Sequence, residues 1–162
     1  MAGSYIQIPL FPVPITFQTF FTYLSGAILG ARLGALSQLI YVLLGALGLP
    51  VYAGGKGGII HLVGPTGGYL MGFIAGSYVV GSIIDRRWDP GYVWFLIGLS
   101  VGTAVIYSMG VLVLFYWVGR LREALLLGVI PFIPGDTLKI ALASYVAFKA
   151  RPVVKALLPR RI

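Results

Sequence analysis

The stretch Gly91-Tyr-Val-Trp-Phe-Leu-Ile-Gly-Leu-Ser-Val-Gly-Thr-Ala-Val-Ile-Tyr-Ser-Met-Gly-Val-Leu-Val-Leu-Phe-Tyr-Trp-Val-Gly119 contains no charged residue. A membrane helix needs about 20 mostly apolar residues, so this stretch is long enough to cross a bilayer with tilt, or to include a loop. The bilayer core offers no water to unpaired backbone groups, and the apolar run does not alternate as a barrel strand would. The sequence therefore predicts an all-α fold.

The same criterion finds three further uncharged runs and a fifth, Thr137 to Phe148, that is interrupted only by Lys139. The predicted spans are 15–31, 33–49, 67–84, 91–118 and 135–150. Before the last span, Arg120 to Leu127 is predicted to form a short amphipathic helix at the membrane surface. We therefore predict a polytopic membrane helix bundle that forms one integral domain over residues 1–162.

Composition excludes several classes of protein. The chain is 59% hydrophobic and 10% charged, whereas a soluble domain is roughly 45–50% apolar and about 25% charged. The net charge of +8 is divided among short basic clusters between apolar runs, which indicates membrane topology rather than a nucleic-acid surface. With no Cys, and with His61 as the single histidine, we predict no metal site and no cofactor.

The basic residues predict the orientation of the bundle in the cell membrane. The side that holds more of them is expected to be cytoplasmic, and it includes the C-terminus and Arg32, Arg86, Arg87, Lys149, Arg151, Lys155, Arg160 and Arg161. Asp85 and Asp89 flank an arginine pair there, in a turn that we predict to be solvated. The Pro- and Gly-rich segments 1–14, 50–66 and 131–136 then share the outer face, where they are expected to form the rim of a ligand pocket.

Asp136 and Lys139 are three residues apart on an otherwise apolar helix, so their side chains share one face. A charge at the bilayer centre costs roughly 2.5–3.5 kcal/mol on insertion scales, and such a residue indicates a functional site. The alternative is that Asp136 caps the helix while Lys139 snorkels or pairs with it. Capping by Asp136 would not explain why Lys139 lies within an apolar membrane span.

The segment between Pro50 and Tyr69 contains too many glycines to be helical. Its backbone freedom would bring Lys56, Thr66 and Tyr69 close to a ligand, although a flexible connection is the simpler interpretation. The segment lacks the glycine and Ser/Thr spacing of a phosphate-binding loop, so the chain is not expected to be an ATPase by itself. Four tyrosines are predicted either to line a cavity or to form interfacial belts: Tyr41, Tyr69, Tyr107 and Tyr116.

The amino terminus has no Lys or Arg before Arg32, so it lacks the charged region of a signal peptide. We expect Gly3 to Ile6 to be the stub of a helix whose earlier turns are missing.

Four motifs in order resemble one family. They are Pro12-Val-Pro-Ile-Thr-Phe-Gln-Thr19, Gly34-Ala-Leu-Ser37 with Leu44-Gly-Ala-Leu-Gly-Leu-Pro50, Gly64-Pro-Thr-Gly-Gly-Tyr69, and Pro131-Phe-Ile-Pro-Gly-Asp136 with Lys139. The chain resembles the BioY family from about Gly3 to about Ala150. Members of this family are the biotin-binding S components of energy-coupling factor (ECF) vitamin transporters.

The resemblance implies a six-helix S component in the lipid bilayer that captures biotin from outside. It would pass the vitamin inward by toppling against a transmembrane coupling subunit driven by two cytoplasmic ATPase subunits. The family's acidic and basic ligands on the last helix correspond to Asp136 and Lys139. The first family helix, which docks the coupling subunit, is expected to be largely missing before Gly3, and this departure places coupling in doubt.

The chemistry of biotin agrees with these residues. Its ureido ring has two N–H donors and a carbonyl acceptor. A carboxylate can accept from the donors, and an ammonium can donate to the carbonyl. Candidate donors to the valerate carboxylate are Lys56, Thr16, Gln18 and Tyr69. Candidate walls around the thiophane ring are Phe11, Phe17 and Tyr41.

Three other functions are weighed against biotin binding. An enzyme would use Asp136 and Lys139 as an acid–base pair, but no nucleophile, metal cluster or second carboxylate lies nearby in the sequence. We therefore predict no catalytic residue. An S component for another vitamin, or a scaffold without a ligand, are the remaining alternatives.

Overall fold

The computed structural model describes residues 2–8 and 11–157. Its described part is mostly helical, which confirms the all-α class. The α-helices are α1 (Gln18–Leu29), α2 (Ala31–Ala46), α3 (Ile60–Val63), α4 (Gly67–Asp85), α5 (Tyr92–Val118), α6 (Leu121–Gly128) and α7 (Ile133–Leu157). Two short antiparallel strands, β1 (Gln7–Ile8) and β2 (Ile15–Thr16), pair Gln7 with Thr16.

Within the described residues, two helices, α4 and α5, are long and apolar enough to cross a membrane. Helices α6 and α7 meet at a bend of 50° and would together make a third crossing. Helix α2 is apolar but has 16 residues, and α1 has 12. The helix predicted over 15–31 is therefore too long at both ends, because Ile15 and Thr16 pair with β1 and because the chain turns at Gly30.

Helices α1, α2 and α4 approach closely because small residues lie between them. Gly30 separates α1 from α2 and has a φ of 86°, a conformation that favours glycine. A Cβ atom added at Gly26 would lie 2.3 Å from the Ser77 carbonyl oxygen on α4. Gly26 and Gly30 thus allow backbone contact between neighbouring helices, as small residues do in membrane bundles.

The segments at the cavity end differ from two expectations. Ala2–Ser4 form a 3-10 turn rather than the stub of an α-helix, and the Phe17 N–H lies 3.1 Å from the carbonyl oxygens of both Gly3 and Ile6. The glycine-rich segment after Pro50 is not wholly without helix, because Ile60–Val63 form the single turn α3. Pairing with distant backbone explains the first difference, and a short run of apolar residues explains the second.

The core lies where α1 and α7 pack against α4 and α5. Its fully buried side chains are Tyr23, Ile84, Phe95, Leu99, Ile106 and Leu114. A cavity opens at the end of the bundle where α1, α4 and α7 begin.

An ion pair between a buried arginine and a partly exposed aspartate closes the opposite end. Arg151 on α7 is 2% exposed, and its guanidinium donates to the Ala27 carbonyl and to Asp85 Oδ1. Asp85 Oδ2 accepts the backbone N–H of Ala31 at 2.8 Å. Asp85 ends α4 and its side chain is 39% exposed, as expected of a solvated turn, but it is also the partner of the buried Arg151, a pairing that the sequence did not predict. Two residues far apart in sequence neutralise each other and satisfy the backbone at the α1/α2 turn.

Candidate functional site

The cavity has a volume of about 360 Å³, within the range of small-molecule sites. Its walls are contributed by the segment before α1, the segment that contains α3, and helices α1, α4, α5 and α7. Apolar side chains form most of the wall: Val13, Tyr52, Leu70, Phe73, Ile106, Trp117 and Phe132. Lys56 is exposed at the open end, whereas Asp136 and Lys139 line the buried end.

Asp136 and Lys139 form a buried ion pair inside this cavity. Their Oδ1 and Nζ atoms are 2.7 Å apart, and the two residues are 2% and 5% exposed. Lys139 Nζ also donates to the Thr16 carbonyl oxygen at 2.8 Å and to Thr19 Oγ1 at 3.2 Å. An ammonium has three protons, so each of them has an acceptor. The buried charge is thus both paired and hydrogen-bonded, as burial requires.

The Asp136 carboxylate is held by three helices. Oδ1 accepts from Lys139 on α7 and from Thr19 Oγ1 on α1, the latter at 3.1 Å. Oδ2 accepts from the Tyr107 hydroxyl on α5 at 2.8 Å. The Asp136 N–H donates to the Phe132 carbonyl at 2.8 Å, so the residue lies within the helix rather than at its cap. Asp136 therefore does not cap the helix and Lys139 does not snorkel, whereas the pairing of Lys139 with Asp136, which the alternative also allowed, is present.

Thr16 and Gln18 both line the cavity, and they contact each other. Thr16 Oγ1 donates to Gln18 Oε1 at 2.8 Å, and Gln18 Nε2 donates to the Tyr41 hydroxyl. That hydroxyl in turn donates to the Val51 carbonyl at 2.8 Å. Tyr41 itself lines a second, smaller cavity of about 220 Å³ between α1, α2 and the amino-terminal turn. Tyr41 thus lines this second cavity and not the main one, whose wall it was predicted to form.

The glycine-rich segment brings its three predicted residues to the cavity, since Lys56, Thr66 and Tyr69 all line it. The Tyr69 hydroxyl donates to the Gly128 carbonyl at 2.7 Å, so its single proton is already used. Tyr69 therefore contributes its ring to the wall rather than a donor. Thr66 Oγ1 lies 3.4 Å from the His61 carbonyl. Nearby, burial raises the pKa of the Tyr52 hydroxyl, which keeps its proton and donates to Val42 O at 2.6 Å.

Two residues that were predicted to form walls of the site do not line the cavity. Phe11 is 93% exposed, and the described lining of the cavity includes neither Phe11 nor Phe17. Phe17 instead places its ring 5.8 Å from Lys139 Nζ, within cation–π range. The sequence analysis did not single out Thr19, which lies three residues after Thr16 and bridges the ion pair. Tyr107, left open between a cavity and an interfacial belt, lines the cavity.

Apolar helices that enclose a cavity with a buried ion pair at its base define a membrane-embedded helical protein with a small-molecule site. The BioY family model matches residues 1–156. The chain belongs to the BioY family, and the resemblance of its four motifs is confirmed.

Named relatives and one solved structure agree with this assignment. The biotin transporter BioY of Thermotoga maritima is 44% identical over 151 residues, which cover 93% of this chain and 88% of that protein. The probable biotin transporter BioY of Pyrococcus horikoshii is 46% identical over 145 residues, covering 90% and 85%. The crystal structure of the S-component for biotin from an ECF-type ABC transporter superimposes with a TM-score of 0.82 at 26% sequence identity. The match covers 93% of this chain and 84% of that one.

Proposed function

We propose that this protein binds biotin and is the substrate-binding S component of an ECF-type vitamin transporter. Membership of the BioY family, the names of its relatives and the fold of the solved biotin S-component support this function. The observation that carries it is the buried Asp136–Lys139 pair at the closed end of a largely apolar cavity. The relatives are named as transporters, and the chain is not an enzyme.

The partners of the ion pair support one orientation of the vitamin. Lys139 already donates three hydrogen bonds, whereas Asp136 is an acceptor with a face toward the cavity. A ligand carboxylate beside Asp136 would be repelled by a like charge in a poorly solvated site. The neutral ureido ring is therefore placed at the closed end, where an N–H donates to Asp136. The valerate carboxylate then lies toward Lys56 at the open end.

The distribution of charge supports the placement of the bundle in the cell membrane. Exposed basic residues surround the end opposite the cavity: Arg32, Arg86, Arg87 and Lys149. Cytoplasmic loops carry an excess of such residues, so we place this end and the C-terminus in the cytoplasm, with the cavity facing outward. The five crossings predicted from the sequence are retained in this arrangement, α1 and α2 being short ones. Its partners are the transmembrane coupling subunit and two ATPase subunits.

Calorimetry on detergent-solubilised protein tests the function. The wild type is expected to bind biotin tightly, and Asp136→Asn is expected to weaken binding by about a hundredfold, because a charged acceptor is lost and Lys139 is left unpaired. The double variant Asp136→Asn/Lys139→Met removes both charges, so it keeps the fold while losing the ligand. Arg120→Gln, which changes an exposed cation outside the cavity, is the control. Tight binding by the double variant would contradict the assignment of the site.

A further inference from the structure

We infer that Tyr107 is a positioning residue that fixes the plane of the Asp136 carboxylate and thereby sets the selectivity of the cavity for a ligand N–H donor. This inference rests on the proposed function, because the ureido group of biotin is the donor in question. Tyr107 lies on α5 and outside the four motifs.

The plane of the Asp136 carboxylate depends on its hydrogen-bond partners. The torsion that turns an aspartate carboxylate about its Cβ–Cγ bond is broad, so the side chain alone does not select one plane. The plane is set by whichever groups hold the two oxygens. At Asp136, Oδ1 is held by Lys139 and Thr19, whereas Oδ2 accepts from Tyr107 at 2.8 Å. In the described part of the chain, Tyr107 is the partner that holds Oδ2.

The hydrogen bonds to Asp136 leave one acceptor position for a ligand. A carboxylate oxygen can accept about two hydrogen bonds. Oδ1 accepts two from described residues, whereas Oδ2 accepts one, from the Tyr107 hydroxyl. Tyr107 and Asp136 both line the cavity, and Asp136 is 2% exposed, so little water competes for the remaining acceptor position. Tyr107 thus leaves one oriented acceptor for a donor that arrives through the cavity.

The selectivity among ligands distinguishes a positioning role of Tyr107 from simple packing. A tyrosine that only filled space would affect every ligand of the same shape equally. A tyrosine that orients an acceptor affects ligands according to whether they present an N–H to it. The distinguishing ligands are therefore two isosteric cyclic carbamates, in each of which one ureido N–H of biotin is replaced by a ring oxygen.

The experiment measures dissociation constants of the full chain in detergent for biotin and for both carbamates. In the wild type, the carbamate whose oxygen faces Asp136 should bind about tenfold to a hundredfold more weakly than biotin. In Tyr107→Phe, biotin should bind about tenfold more weakly while that carbamate changes less than threefold, so the discrimination falls. Tyr92→Phe removes another phenol of α5, one outside the cavity lining whose hydroxyl donates to the Ala141 carbonyl at 3.4 Å, and it should leave the discrimination unchanged.

The possible outcomes are distinct. If Tyr107→Phe weakens all three ligands by one common factor, or leaves biotin binding unchanged, the positioning role is overturned while the proposed function stands. If the wild-type protein does not bind biotin, the proposed function itself fails. Thermal unfolding of both variants, measured without ligand, separates loss of folding from loss of selectivity.

Discussion

At the residue level, the polar contacts of the site involve four side chains from three helices and one backbone carbonyl from the segment before α1. Asp136 and Lys139 share one face of α7, and Thr16, Thr19 and Tyr107 complete their hydrogen bonds. Such a buried pair is costly when it is incomplete, because an unmatched charge in a dry site loses its solvation without compensation. The site is therefore preorganised before a ligand arrives.

The orientation proposed for biotin makes Lys56 the partner of the valerate carboxylate. Lys56→Gln should weaken biotin binding by about fivefold or less, because an exposed ion pair contributes roughly 0.2–1 kcal/mol. It should leave binding of the neutral amide of biotin unchanged. Calorimetry at low and high salt checks this, since screening should reduce the difference between wild type and variant. Arg120→Gln serves as a control with the same charge change at the same end of the bundle. Equal loss of affinity for acid and amide would contradict the orientation.

Among the elements, α7 contributes polar residues to both ends of the bundle. Its first turns carry the ion pair that lines the cavity, and Pro134 lies near the helix start, where a missing N–H is tolerated. Its later turns carry Arg151, which holds the end of α4 and the turn between α1 and α2 through Asp85 and Ala27. The cavity and the closed end of the bundle are thus stabilised by separate polar clusters.

We expect Arg151→Met to lower stability without altering the cavity. Removing one partner of a buried pair costs about 3–5 kcal/mol, and the partial exposure of Asp85 places this variant at the lower end of that range. Thermal unfolding in detergent measures the loss, and calorimetry should show biotin affinity within about twofold of wild type. Lys155→Met changes an exposed cation on the same helix and should unfold as the wild type does. A stable Arg151→Met protein that binds biotin poorly would refute this division of tasks.

At the scale of the whole molecule, local features of the sequence were predictable and distant contacts were not. Helix α4 occupies Gly67–Asp85 and α5 occupies Tyr92–Val118, close to the predicted runs, because charges and glycines mark their ends. Asp136 and Lys139 stood out because a charge in an apolar helix is a local signal. The strand pairing that shortens α1, and the Asp85–Arg151 pair, join segments far apart in sequence, which no local pattern indicates.

The orientation of the bundle is testable because the chain contains no cysteine. Ile59, beside the cavity, and Trp88, at the opposite end, are 68% and 101% exposed. We expect Ile59→Cys to react with a membrane-impermeant maleimide in intact cells, and Trp88→Cys to react only after permeabilisation. The cysteine-free parent gives the background. The reverse labelling pattern would show that the cavity faces the cytoplasm.

The most direct test of the central claim is an experimental structure of the protein with biotin bound. We predict the ureido ring at the closed end of the cavity, with its N–H nitrogen about 2.7–3.2 Å from an Asp136 carboxylate oxygen and the valerate directed toward Lys56. Biotin found elsewhere, or bound with its ureido ring remote from Asp136 and Lys139, would contradict it.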